Sequence, residues 1–173
     1  MNEKIKALFY PQSIAVVGVS NDLHKLGSIY YFNLLEGGYK GKVFPINPKY
    51  TDYHGVPCYP LVSSVPEQID QVAIVIPSQF VLDIVKDCAK KGVKAILIIS
   101  AGFGEIGEEG KKLEQEILCI AKENNMNILG PNIIGVLNTA NKMNSSWMQL
   151  SPVEGDIAFL SQSGAFCTGV LDM

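Results

Sequence analysis

The chain has 173 residues, 47% of them hydrophobic and 18% charged, which is apolar material enough for one domain of ordinary size with a proper core. Its formal net charge of −3 argues against a nucleic-acid surface, since binding a duplex normally needs a basic face. The four cysteines, Cys58, Cys88, Cys119 and Cys167, form no C-x-x-C pair, so neither a zinc site nor a thioredoxin-like redox site is indicated, and no apolar run approaches transmembrane or signal-core length, which points to the cytoplasm.

In chain order, a polar amphipathic opening leads into Ser13-Ile-Ala-Val-Val-Gly-Val-Ser20. The apolar positions of residues 13–19 suit a parallel strand buried on both faces, and Gly18 marks a close backbone approach. Residues 27–35 carry apolar side chains at three- and four-residue spacing and read as a helix ended by Glu36-Gly37-Gly38. Further strands are expected at 42–46, 71–76, 95–99 and 127–129, with helices at 80–91 and 108–124 between them. Ser78 is a plausible N-cap after Pro77, and Lys90-Lys91-Gly92 supplies cations and a terminating glycine at the other end of that helix. This alternation predicts a doubly wound, Rossmann-like α/β sheet. After a linker-like 152–156, Ile157-Ala-Phe-Leu160 repeats the strand signature and runs through Ser161-Gln-Ser-Gly164 into a helix over 165–173. The expectation is a first domain over 1–150, with 151–173 a linker and the truncated start of a second domain.

The strand ends carry the candidate chemistry, and in an open α/β sheet they converge on the edge where ligands lie. They are Gly18-Val19-Ser20, Asn47-Pro48-Lys49, Ile76-Pro77 and Ser100-Ala101-Gly102-Phe103. A dinucleotide enzyme would place Asp or Glu after its second strand to hold the adenosine ribose. Here an amide and an ammonium, Asn47 and Lys49, favour a ribose that bears a phosphate. Coenzyme A and NADP both fit. The first loop lacks G-x-G-x-x-G, having Gly18 and then Gly27 with Ser20, Asn21 and Lys25 between, and this favours coenzyme A. Gly102 and Gly104 permit backbone N–H groups to face a phosphate or carbonyl, while Phe103 is read as core filler in preference to an adenine cover. Asn132 either reaches the same crevice or closes a local turn. Ser161-Gln-Ser-Gly164 is either an anion site at a helix start or a plain N-cap. His24 and His54 have no acid or nucleophile beside them in sequence, and neither is given a catalytic role.

Six blocks in order, Ser13 to Ser20, Asn33-Leu-Leu-Glu-Gly-Gly38, Gly41 to Lys49, Ile98 to Phe103, Gly130-Pro-Asn132 and Leu160-Ser-Gln-Ser-Gly164, resemble the nucleoside-diphosphate-forming acyl-CoA synthetases, with succinyl-CoA ligase α subunits as more distant relatives. The resemblance implies a coenzyme A-binding Rossmann-like domain followed by the start of a flavodoxin-like domain. It implies a reaction converting acyl-CoA, ADP and phosphate to acid, CoA and ATP through a phosphohistidine beyond this fragment. ATP or ADP and magnesium would belong to an ATP-grasp region in cis or on a partner subunit, and an oligomer is compatible with that arrangement. By position, Gly18, Val19, Ser20 and Gly27, with Lys25 added, match the first phosphate loop, and Asn47, Pro48 and Lys49 match the block at the nucleotide end. Ile76, Pro77, Ser100, Ala101 and Gly102 match segments along the cofactor, joined by Asn132. Ser163 and Gly164 match a helix start facing the phosphohistidine. Many relatives have Cys where this chain has Ile133, so no thiol role is carried over. An alternative is a CoA-binding regulatory domain of a protein lysine acetyltransferase; an NADP oxidoreductase is disfavoured by the missing glycine fingerprint.

Overall fold

The computed structural model describes residues 2–149 and 152–171. The chain begins with α1 (Glu3–Phe9), β1 (Ser13–Val17), α2 (Leu26–Glu36) and β2 (Lys42–Ile46), followed by a small hairpin of β3 (Asp52–Tyr53) and β4 (Val56–Pro57). Next come β5 (Gln71–Ile74), α3 (Val81–Lys91), β6 (Ala95–Ile98), α4 (Glu108–Glu123) and β7 (Asn127–Leu129). A second hairpin, β8 (Gly135–Asn138) and β9 (Met143–Ser146), precedes α5 (Gly164–Leu171). Strands β2-β1-β5-β6-β7 form one parallel sheet in that order. The doubly wound α/β architecture expected from the sequence is the one observed. The chain leaves β1 toward one side and returns at β5 on the other, so the order reverses between these two strands and opens a crevice at their carboxyl ends.

Alternation along the strands builds two apolar layers. Ile14 and Val16 face Tyr30, Tyr31 and Leu34 of α2 and Ala7 and Leu8 of α1, whereas Ala15 and Val17 face the side covered by α3 and α4. Phe103 is fully buried in that second layer, as its reading as core filler requires. Helix α3 ends at Gly92 in the left-handed region (φ 76°), whose N–H reaches the Ala89 carbonyl with Lys90 and Lys91 in the last turn. Its start differs from expectation. Ser78 lies inside a 3₁₀ turn (Ser78–Phe80) that precedes the helix and does not cap it, because Pro77 delivers the chain in a tighter bend.

The strand expected at 157–160 is not formed. Ile157 and Leu160 are 94% and 93% exposed, and among the described residues no neighbouring strand pairs with the segment to satisfy its backbone. The helix after it is present as α5, although the last two positions of the predicted 165–173 helix, like the expected boundary between residues 150 and 151, lie outside the described residues.

A buried polar network fastens the outer pieces to the sheet. Gln71, the first residue of β5 and fully buried, donates through Nε2 to the carbonyls of Ala7 (3.0 Å) and Leu8 (2.9 Å) at the end of α1. Its Oε1 accepts from Ser145 Oγ of β9 at 2.8 Å, and the hydroxyl of Tyr30 on α2 donates to the Ser145 carbonyl. One amide thus joins α1, β5 and β9 with every polar atom partnered, which is the condition under which such a network stabilises. We expect Gln71→Leu to cost about 2–4 kcal/mol, because it leaves two carbonyls and a hydroxyl without their partner in the interior. Urea denaturation checks this, and a loss below 1 kcal/mol, roughly one ordinary hydrogen bond, would show that water replaces the amide.

Candidate ligand-binding site at the carboxyl edge of the sheet

Strand β1 ends at Gly18, whose φ of 105° is open to glycine and strained for other residues. A Cβ there would lie 2.2 Å from the Val75 carbonyl oxygen, and one on Gly27 would lie 2.1 Å from the carbonyl oxygen of Gly18 itself. Both glycines are therefore demanded by contact, and together they bring the first turn of α2 directly against the end of β1. Between them runs the loop expected to hold phosphate, with Val19 fully buried and Ser20 half-buried.

The start of α2 is unusual among the long helices. As in α3 and α4, no side chain caps the helix, but here Lys25 occupies the N-cap and the first turn contains no acid. Helices α3 and α4 carry Asp83 and Glu108 with Glu109 at the corresponding places. A helix N-terminus behaves as a partial positive charge and is stabilised by an oxygen-bearing cap or an anion. An exposed lysine does the opposite. Without an anionic ligand the arrangement is locally unfavourable, whereas with one, helix start and ammonium act together.

Strand β2 delivers Asn47, Pro48 and Lys49 to the same edge. Asn47 is half-buried and fully used: its Nδ2 donates to the Val19 carbonyl at 2.6 Å, and its Oδ1 accepts from the Lys49 N–H at 2.9 Å. It acts as a brace that fixes the turn carrying Lys49, whose side chain is exposed. Of the other lysines around β2, Lys42 is ion-paired with Glu67 and Lys40 is exposed.

The ends of β5 and β6 meet beside this loop. Ser100 Oγ donates to the Ile76 carbonyl, tying the two strand ends together, and a Cβ on Gly102 (φ 99°) would lie 2.6 Å from Ser78 Oγ. Ile76 is half-buried, while Pro77 and Ala101 are exposed. Gly130 and Asn132 follow β7, and the Asn132 N–H donates to the Ser100 carbonyl at 3.0 Å, so Asn132 stands next to the end of β6 with a φ of 56°. The predicted residues from Gly18 to Gly102, and Asn132, are thus brought to one edge. Ser163 and Gly164 stand apart at the start of α5, where Ser163 Oγ accepts from the Phe166 N–H at 3.3 Å in the manner of a plain N-cap. A Cβ on Gly164 would touch Ile134, which follows Asn132 by two residues.

Three features of this edge escaped the sequence reading. The amides of Gly102 and Gly104, expected to face a phosphate or carbonyl, donate instead to the carboxylates of Glu105 at 2.7 Å and Glu114 at 3.0 Å, and the Phe103 N–H joins Gly102 on Glu105 at 3.1 Å. Ser28 on α2 accepts from the Ser20 N–H (3.1 Å) and donates to the Ser20 carbonyl (2.6 Å). Tyr53, in the first hairpin, donates to that same carbonyl at 3.0 Å, with its phenol pushed up by burial and so kept a donor at neutral pH. The positive φ of both His54 (51°) and Gly55 (84°) identifies a two-residue primed turn, and this flanking pattern was the available signal for the hairpin.

His24 and His54 are both exposed, and among the described residues no group of His, Cys, Asp and Glu is arranged to hold a metal. A concavity of about 370 Å³ between α4 and β7 is lined by Leu118, Lys122, Asn125 and Ile128. It opens at the amino end of β7, opposite the edge where open α/β sheets bind ligands, and gathers none of the residues above.

The Glu105 carboxyl is held below its ordinary value, first by the Gly102 N–H and then by its own loop amides. A carboxylate of lowered pKa contributes its contact above the ordinary value and loses it as pH falls through the lowered one. The amide proton shifts of Gly102 and Phe103 should therefore hold steady from neutral pH past the ordinary glutamate range and move only below it. Titration by NMR checks this; a midpoint at or above the ordinary glutamate value would remove the carboxylate from these amides.

A family model described as a CoA binding domain matches residues 12–139. Over 168 residues the chain is 42% identical to an ADP-forming acetate–CoA ligase I of Archaeoglobus fulgidus, covering 97% of this chain and 24% of that protein. It is 43% identical over 165 residues to the α subunit of an ADP-forming acetate–CoA ligase I of Pyrococcus furiosus, covering 93% of this chain and 36% of the subunit. A solved structure of a dinucleotide-forming acetyl-coenzyme A synthetase 1 of Ca. Korarchaeum cryptofilum, in complex with phosphate and ADP, superposes with a TM-score of 0.93 at 42% identity over 99% of this chain and 36% of that one. The chain thus spans between 24% and 36% of the length of these relatives.

Proposed function

Because the chain belongs to the CoA-binding domain family, we propose that it is the coenzyme A-binding N-terminal portion of an ADP-forming acid–CoA ligase. The observation that carries the reading is the start of α2, where an uncapped helix N-terminus and Lys25 converge on the loop from Gly18 to Gly27 beside the brace that presents Lys49. In this role the first loop and the helix start hold the pyrophosphate, and Lys49 answers the phosphate on the ribose. Asn47 and Pro48 shape the turn that presents it. Ile76, Pro77, Ser100, Ala101 and Gly102 line the path of the pantetheine arm, with Asn132 at the strand end beyond them. Gly18, Gly27 and Gly102 let these segments pack closely against one another. Bound coenzyme A supplies the thiol that forms and breaks the thioester; these residues only bind and aim it.

The complete reaction is acyl-CoA, ADP and phosphate to carboxylic acid, CoA and ATP, with a phosphohistidine, ATP or ADP, and magnesium held by other ligase domains in cis or on a partner subunit. In that setting residues 1–150 form the CoA domain and 151–173 lead into the next one. Ser163 and Gly164 would then present a helix start to the phosphoryl group. The exposed Ile157 and Leu160 support this, since an apolar strand-like segment without a pairing partner suits continuation into a further sheet. The described residues contain no helix long and apolar enough to cross a membrane, and with the unpaired thiols this supports a cytoplasmic setting.

Lys49→Glu provides the test. A charge-assisted contact is worth about 1.5–3 kcal/mol, so calorimetric titration should show CoA binding weakened roughly tenfold or more. Binding of dephospho-CoA, which lacks the ribose phosphate, should change less than about threefold by the same arithmetic. Equal losses for both ligands would move Lys49 away from that phosphate. Saturable binding of NADPH with none of CoA would overturn the reading altogether.

A further inference from the structure

One short segment holds three consecutive residues of the first loop. Asn47 Nδ2 donates to the Val19 carbonyl at 2.6 Å, Tyr53 donates to the Ser20 carbonyl at 3.0 Å, and the Asn21 N–H donates to the Tyr50 hydroxyl at 3.4 Å. Lys49 lies inside this segment, between the first and second of its bonding side chains. The tyrosines are themselves fixed. Tyr53 is fully buried, edge-on to Tyr31 of α2 with centroids 5.2 Å apart and stacked with Tyr50 at 6.5 Å. The primed turn at His54 and Gly55, with Gly55 N–H on Asp52 Oδ1 at 3.1 Å, returns the chain so that Cys58 N–H reaches the Thr51 carbonyl. The loop cannot shift relative to Lys49 without breaking several of these bonds.

We propose that Tyr53 is a positioning residue whose hydroxyl locks the first loop to the segment carrying Lys49, so that a ligand with anionic groups at two separated points is gripped at both simultaneously. Pre-ordering two contact regions as one body reduces the ordering cost at binding, and the benefit falls on ligands that use both. This rests on the coenzyme A reading for the identity of the ligand. The competing role is that of a core aromatic whose hydroxyl merely finds a partner, as buried tyrosines usually do. A purely structural role would affect every ligand alike.

Tyr53→Phe keeps the ring and removes the hydroxyl's bonds to the Ser20 carbonyl and to Ser28, with Ser28 still bonded to the Ser20 carbonyl. Two readouts decide the matter on the 173-residue chain. Hydrogen exchange of the Ser20 and Asn21 amides should accelerate about fivefold, the factor that one hydrogen bond of ordinary net strength is worth, with the amides of β1 unchanged. The ratio of CoA to dephospho-CoA affinity, measured by calorimetry, should fall by about threefold or more, since a loosened loop no longer holds Lys49 in register. Unchanged loop exchange would overturn the clamp, and accelerated exchange with an unaltered ratio would overturn its coupling to Lys49. If the unsubstituted chain shows no preference for CoA over dephospho-CoA, the coenzyme A reading fails and with it the coupling, while exchange still decides whether Tyr53 holds the loop.

Discussion

Contact between the first turn of α2 and Gly18, the residue that follows β1, sets the geometry on which everything else depends. There is no room for a side chain at Gly18 or Gly27, whose added Cβ atoms would fall within about 2.2 Å of backbone oxygens. Glycine at both positions lets the helix begin this close to the strand end. The approach places the N-terminus of α2 at the point where the strand order reverses, next to the ends of β2, β5 and β6. A crevice at that point is then a consequence of chain geometry. The intervening loop is braced by Asn47, Ser28, Tyr50 and Tyr53.

The opposite requirement operates at the periphery. Helix α1 is only seven residues long, too short to be stable alone, and the β8–β9 hairpin is two-stranded. Both depend on tertiary anchors: Ala7 and Leu8 pack on the sheet, and the Gln71, Ser145 and Tyr30 network fixes their register. A buried amide is costly unless fully partnered, and its full satisfaction makes it a specifier of position as well as a source of stability. Stability and ligand geometry are thus assigned to different ends of the same strands.

What could be read from the sequence follows from this division. The central strands β1, β5 and β6 were legible because strands buried on both faces carry apolar runs, the edge strands β2 and β7 because they fall between helix patterns, and three long helices because their apolar spacing is regular. The two hairpins were not: the His54-Gly55 turn was the local signal for the first and went unread, and Asp52-Tyr53 and Met143 to Ser146 are held by distant partners, Ser20 and Gln71. The apolar run at 157–160 misled for the complementary reason: it has strand composition and, among the described residues, nothing to pair with. At the site, the residue types at the strand ends announced their meeting. Their electrostatic relations stayed hidden, because the seating of Glu105 on the Gly102 and Phe103 amides and the bare N-cap at Lys25 are facts of three-dimensional contact.

Taken together, the sheet edge is a rigid frame with two positively polarised points, the start of α2 and Lys49, joined by a braced loop, which suits a ligand carrying phosphates at two places. The most direct test of this account is to map coenzyme A onto the isotope-labelled chain by amide chemical shifts. The account predicts that the perturbed amides cluster at Gly18 to Gly27, Lys49, Ser78 and Ser100 to Gly102, with the groove between α4 and β7 silent. Perturbations centred on Leu118, Lys122 and Asn127, or none at saturating coenzyme A, would contradict it.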